Sequence, residues 1–285
     1  LNKSFMGLKQ RTMKKVLVIS SLIVTAVLFY LNRPDQTPLD LDHLELVTCS
    51  HDETVLSTKV HYFVDNSLKE FFGKGSAVKQ IEFSNQTLAN SCLPLERQLA
   101  SYQYVDFGFS DTEYLEEVYL QGRNAIGKER LDSIENDPLN YFVFVLDYRH
   151  PVFEEDINGM TRWEFNRGFI LLADDAPPYV LEHEFGHLMH ANHSETLFFS
   201  LLQGQLERSL KPANKHLVKP YARAYKCANA GTIMSYEKLL LPIYSDPAIS
   251  YRDESCGNEL HADNNRRVRE FIASLRQAIE NGEKT

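Results

Sequence analysis

An α+β fold, with a β-sheet packed against helices, is predicted by three features of the chain. Thr58 to Val64 reads as a strand, with Val60, Tyr62 and Val64 alternating with Lys59, His61 and Phe63, and Ala77 to Asn90 reads as a helix with Val78, Ile81, Phe83 and Leu88 apolar. Tyr141-Phe142-Val143-Phe144-Val145-Leu146 is apolar without alternation, as expected of a strand covered on both faces. Gly168 to Ala173 is a similar run. It leads into Asp174-Asp175-Ala176-Pro177-Pro178, where aspartates suit a helix cap and prolines the first turn, whose N–H groups need no partner within the helix.

Taken from the start, residues 1–12 precede Met13 and read as a gene-model extension. Lys14 and Lys15 then introduce Val16 to Leu31, apolar apart from Ser20, Ser21 and Thr25, which is the layout of an export signal. Val24-Thr25-Ala26 offers a small-residue cleavage site. The run spans roughly 24 Å as a helix, short of the ~30 Å hydrocarbon core but long for a signal peptide, so the reading leans to an uncleaved anchor. Positive charge ahead of it leaves the rest outside the cytoplasm, periplasmic or extracellular. Residues 32–57 turn polar and acidic, with Pro34 and Pro38, and read as a linker; residues 58–285 form the domain, with Leu99 to Phe109 as a further strand.

The 285 residues are 43% hydrophobic and 24% charged, an ordinary globular composition; their net charge of -9 argues against a phosphate-backbone partner, and no clustered Lys/Arg stripe appears. A protein or peptide partner fits this balance, and nucleic acid does not. Cys49, Cys92, Cys227 and Cys256 are an even set in an exported chain and none sits in a C-x-x-C pair, so two disulfides are expected. Of the three pairings, Cys49 with Cys92 and Cys227 with Cys256 close the most local loops.

Chemistry concentrates in His183-Glu184-Phe185-Gly186-His187. Four-residue spacing puts both imidazoles on one helical face, one turn apart, where they can share a zinc ion while Glu184 reaches a water on it. Catalytic zinc needs a third protein ligand, and His193, six residues on, is the candidate. With 10 histidines in 285 residues, chance supplies one at that single position with probability of about 0.035, so surface histidines are the weaker explanation. The remaining histidines, such as His61, His150 and His216, have no ligand-like spacing.

His183-Glu184-x-x-His187-x-x-x-x-x-His193 resembles the long zinc signature of the metzincin peptidases, and Gly231-Thr232-Ile233-Met234-Ser235-Tyr236 resembles their Met-turn. Asn85 to Ser91 and Ala262 to Arg267, the latter in a final helix, are similar to segments of bacterial reprolysin-like members. The resemblance implies a twisted mixed sheet packed on the active-site helix, and a smaller C-terminal subdomain with the Met-turn and a terminal helix. It implies peptide hydrolysis by zinc-activated water, with His183, His187 and His193 as ligands and Glu184 as general base. It also implies Met234 as a hydrophobic base under the imidazoles and Tyr236 near the metal, where it stabilises an oxyanion. The strand 168–173 would then be the cleft rim that pairs with substrate, and Leu239, Leu240, Ile243 and Tyr244 would shape the specificity pocket.

One position departs from the family. Where a glycine usually follows the second histidine by three residues, this chain has His190. Glycine suits that turn because positive φ costs it nothing. If the helix ran on instead, His190 would lie roughly 10 Å along the axis from His183, too far for one ion with ~2.1 Å bonds, so His193 is favoured. Two rival readings keep the histidines in other roles. In one, an exported binding or adaptor module holds structural zinc closed by His190; in the other, a different peptidase class takes Glu207 or Glu237 as third ligand.

Overall fold

The computed structural model describes residues 41–50, 53–108, 112–153, 157–194 and 210–282. The expected extension 1–12, the signal or anchor 13–31, linker residues 32–40, 51 and 52, and Glu207 lie outside the described residues. Among the described residues no helix is long and apolar enough to cross a membrane.

The fold mixes helices and strands. Strands β1 (Leu44–Glu45), β2 (Leu56–Asp65), β3 (Leu95–Val105), β4 (Asn140–Leu146), β5 (Gly159–Met160) and β6 (Phe169–Ala173) come from the first part of the domain. Helices α1 (Lys74–Asn90), α2 (Leu115–Ile126), α3 (Lys128–Glu135) and α4 (Tyr179–Leu188) connect or follow them. A five-stranded mixed sheet runs in the order β3-β2-β4-β6-β5, with β5 antiparallel to β6 and the other pairings parallel.

Period-two alternation explains why its central strands are apolar throughout. Val60, Tyr62, Val64, Val143, Val145, Ile170 and Leu172 pack with Ala77, Ile81 and Leu88 of α1 and with Val180, Leu181 and Phe185 of α4. Phe63, Phe142, Phe144, Phe169 and Leu171 pack on the opposite face with Val118 and Tyr119 of α2 and Leu131 and Ile134 of α3. Gly122 lets α2 lie flat on the sheet, since a Cβ there would fall 2.2 Å from Phe144 Cε2.

The sheet corrects the expectation for the cleft rim. Strand 168–173, as β6, is flanked by β4 and β5, so its hydrogen-bonding edges are taken; β5 is the edge strand. The β3 strand also starts earlier than expected, at Leu95, where it pairs with Leu56 of β2, and it carries the buried Arg97. Its Nε donates to Glu182 Oε2 at 3.1 Å and its Nη2 to Glu182 Oε1 at 3.3 Å, while Nη1 reaches Thr58 Oγ1 at 3.3 Å. The guanidinium stacks 3.5 Å from the Phe185 ring centroid, and Tyr244 Oη donates to Glu182 Oε1 at 2.8 Å. This pair, with side chains 1% and 0% exposed, ties α4 to the sheet one residue ahead of His183.

The C-terminal part carries β7 (Lys226–Cys227), β8 (Ala230–Gly231), β9 (Asp246–Tyr251), β10 (Glu254–Cys256) and α5 (Asn264–Asn281). β1 pairs with β9, and Cys49 is bonded to Cys92, so residues 44–49 of the expected linker are tied to the domain. Cys227 is bonded to Cys256, which completes both expected pairings. Two disulfides hint at an exported protein, because cytosolic thiols are kept reduced.

Removing one partner of a buried ion pair leaves the other charge uncompensated. Arg97→Met is therefore expected to lower unfolding free energy by about 3–5 kcal/mol in denaturant titration, and a double Arg97→Met, Glu182→Met variant to recover much of that loss. Equal loss in single and double variants would contradict the pairing.

Candidate metal centre

Helix α4 begins at Pro178 as its cap and ends at Met189. Beyond it His190 has φ of +64°, with His190 N–H donating to His187 O at 2.9 Å and Ala191 N–H to Gly186 O at 2.8 Å. These two bonds are the paired closure of a helix ending in a left-handed residue, and histidine tolerates that region better than most side chains. The chain therefore turns back, as the missing-glycine position required.

The reversal brings His193 onto His183 and His187. The donor atoms of the three imidazoles all lie within 4.8 Å of one another, and the Nε2 atoms of His183 and His193 are 3.1 Å apart. His183 Nδ1 lies 2.9 Å from the carbonyl oxygen of Ile233, which can only accept, so that nitrogen carries the proton and Nε2 presents a lone pair. A backbone hydrogen bond to Ala191 likewise engages His187. Burial lowers the pKa of all three rings, to about 3 for His187, and for His187 and His193 the neighbouring imidazoles add to the effect. Neutral imidazoles with converging lone pairs and outer nitrogens held by carbonyls could hold a divalent cation of the zinc type.

Glu184 is 5% exposed, and burial raises its pKa to about 8. The edge strand passes directly over it: a Cβ on Gly159 would fall 3.0 Å from Glu184 Cγ and Oε1 and 2.5 Å from Val180 Cγ1, so only glycine fits. Met234 is fully buried, and a Cβ on Gly186 would lie 2.2 Å from its sulfur. The middle of the helix thus rests on the thioether. Neither glycine requirement was legible in the spacing of the histidines.

Tyr236, 58% exposed, places its hydroxyl 2.9 Å from Nδ1 of His193, the ring nitrogen turned away from His183. Partial burial and the nearby Glu184 raise its pKa to about 12, so the phenol stays protonated at neutral pH. Ile243 and Tyr244 are fully buried, and Tyr244 is occupied with Glu182, so these two belong to the core rather than to an open pocket; Leu239 and Leu240 are half-buried.

His190 stands outside the cluster. Arg267 Nη2 donates to its Nδ1 at 2.6 Å, and its ring meets Trp163 and Phe271 edge-on at 4.6 and 5.8 Å between centroids. A cavity of ≈ 420 Å³ opens beside it, lined by Leu188, Arg267, Phe271 and His216 among others, and includes none of the three clustered histidines. Glu237 pairs with Lys226 at 3.0 Å and is likewise outside the cluster.

No protein-family model matches the chain, and no curated protein sequence matches it. Solved structures similar to it include a chaperone-substrate complex, with a TM-score of 0.56 at 11% identity over 78% of this chain and 35% of that one. Metalloproteinase-II from Bacteroides fragilis gives 0.43 at 12% identity over 79% and 56%. A zinc-dependent peptidase from Methanocorpusculum labreanum gives 0.29 at 15% identity over 48% and 84%. The chain spans about a third of the first structure's length and a little over half of the second's. At 11% identity the first likeness is one of fold, and the other two superpose less well.

Burial of His190 has a measurable acid signature. Desolvation first, then the charges of Arg267, Arg167 and His216, lower its pKa to about 3. Between that value and the ordinary 6.5 the unfolded chain binds a proton that the folded chain refuses, so this group's contribution to stability falls as pH falls. In the metal-free protein, the stability of wild type minus that of His190→Asn is expected to drop by about 1–2 kcal/mol from pH 7 to pH 5. A difference that does not change with pH would contradict the burial.

Proposed function

We propose that the chain is an exported zinc-dependent metalloendopeptidase of the metzincin type, similar to bacterial reprolysin-like members. The observation that carries this reading is the convergence of three neutral imidazoles, two of them oriented by backbone carbonyls, beside a buried carboxylate. Such a donor set leaves one side open, which separates a catalytic site from a closed structural one. His183, His187 and His193 would hold the ion, and zinc there would supply Lewis-acid polarisation of a scissile carbonyl and acidify a water.

The chain's own groups do the rest. Glu184 accepts the proton of the attacking water at its carboxylate and passes it to the departing amine. Burial makes it a stronger base than a surface glutamate, since desolvation penalises its charged form. A bound cation would oppose that shift by favouring the charged carboxylate. Tyr236 keeps its proton and steadies the His193 ring through Nδ1; its hydroxyl is also a neutral donor that could serve a developing oxyanion.

The outer edge of β5 supports an extended peptide as substrate. A two-residue antiparallel edge strand lying over Glu184 offers main-chain groups to a chain entering beside the imidazoles. The adaptor reading depended on His190 as a fourth ligand, and that ring is engaged with Arg267 and Trp163 instead.

Glu184→Gln is expected to bind one zinc per chain and to hydrolyse a denatured protein at least ~100-fold more slowly than wild type, the typical contribution of a positioned base. His193→Ala should lose both zinc and activity, while His190→Gly should keep both. Elemental analysis with a proteolysis assay reads all three; undiminished turnover in Glu184→Gln would remove that residue from its role.

A further inference from the structure

The segment Ala262 to Arg267 stood out in the sequence, and neither the ligands nor the base absorbs it. Its residues open helix α5. Asp263 caps the helix by accepting from Arg266 N–H at 2.8 Å, and its own N–H donates to Tyr221 O at 2.6 Å. Asn265 donates to Ser91 O at 2.7 Å and to Asp246 Oδ2 at 2.8 Å. Those bonds anchor the helix start to the body of the fold on both sides of Asn264.

Asn264 is fully buried and turns its amide toward the loop that carries His193. Its Nδ2 donates to Asn192 O at 2.9 Å, and its Oδ1 accepts from Asn192 N–H at 3.2 Å. Both main-chain groups of the residue preceding His193 thus end on one side chain, in the two-point pairing a strand neighbour would give. Ala224 N–H adds a second bond to the same carbonyl at 2.9 Å, and the Asn192 side chain donates to His190 O at 3.1 Å. Arg267, one turn further along α5, holds His190 itself. The reversal between the second and third imidazoles is therefore gripped from one side by the first turn of α5.

We infer that Asn264 is a positioning residue for the third imidazole: its amide fixes the main chain at Asn192, so that His193 is presented to His183 and His187 before any ion arrives. The inference rests on the metal-centre reading above. Only a side chain with a donor and an acceptor in one fork can pair with both groups of Asn192 at once, although the carbonyl also accepts from Ala224 N–H. Asparagine does so. Aspartate sets a carboxylate oxygen against the Asn192 carbonyl, and alanine leaves both backbone groups without this partner. Preorganisation lowers the ordering cost of binding, so its loss shows first in affinity for the ion.

Zinc affinity by chelator competition tests this, with no dependence on turnover. Asn264→Ala and Asn264→Asp are expected to bind zinc 10–100-fold more weakly than wild type, the usual effect of losing an outer contact to a ligand. Ile272→Ala, a buried truncation two turns along the same helix, should lower melting temperature without changing zinc affinity. Unchanged affinity in Asn264→Ala would overturn the inference, as would an equal loss in Ile272→Ala at matched stability. Hydrogen exchange on metal-free wild type keeps the test open should the Asn264 variants not fold: the Asn192 amide should be protected, and exchange at an open-loop rate would overturn the clamp. Absence of zinc binding in wild type with a protected Asn192 amide would instead mark failure of the metal-centre reading, and would take this inference with it.

Discussion

The left-handed turn at His190 is the constraint on which the site depends. A helix alone can offer two imidazoles one turn apart, and a third on the same helix would lie another turn away, beyond the reach of a single ion. Only a chain that stops its helix and reverses can return a third ring to the same point. At φ of +64° His190 makes that reversal, with the helix end closed by the bonds from His190 and Ala191 to His187 and Gly186. A histidine at this point has a steric cost that glycine would not, and its ring is used: Arg267, Trp163 and Phe271 hold it, so the turn is fastened by the side chain that strains it.

Around that turn each part of the site is held by contacts from elsewhere in the fold. Arg97 and Glu182 fix how α4 is rolled against the sheet, and roll decides whether His183 and His187 face the cleft or the core. Met234 fills the space that Gly186 leaves, and Ile233 orients the His183 ring. These contacts come from β3 and from the turn after β8, and the start of α5 adds those of Asn264 and Arg267. Such a site is assembled from residues far apart in the chain, so it is complete only in the folded domain.

Much of this was legible in the sequence where a residue pattern has one physical meaning. Tyr141 to Leu146 is apolar at every position because both faces of its strand are covered, and that is how the chain packs it. The spacing of His183, His187 and His193 admits one geometry that suits an ion, and the three rings converge. Other features had no local signature. A strand of two residues, Gly159–Met160, shows no alternation, so the rim was assigned to the neighbouring apolar run. Tyr244 reads as a pocket residue where its segment follows a turn that resembles the Met-turn, yet its hydroxyl serves a carboxylate 62 positions earlier in the chain. Arg97 lies just ahead of the expected strand 99–109 and carries no local signal, and only the tertiary fold reveals Glu182 opposite it. Helix α2, with Val118, Tyr119 and Gly122 at helical spacing, was readable but lies between two runs that looked more like strands.

The central claim is that three histidine nitrogens, and no fourth protein group, surround one ion beside Glu184. A crystal structure of the zinc-loaded protein, with anomalous data collected at the zinc edge, measures this directly. The account predicts one peak at about 2.0–2.1 Å from a nitrogen of each of His183, His187 and His193, with solvent in the remaining position on the Glu184 side. A peak closed by a fourth side chain, or one centred away from His193, would contradict it.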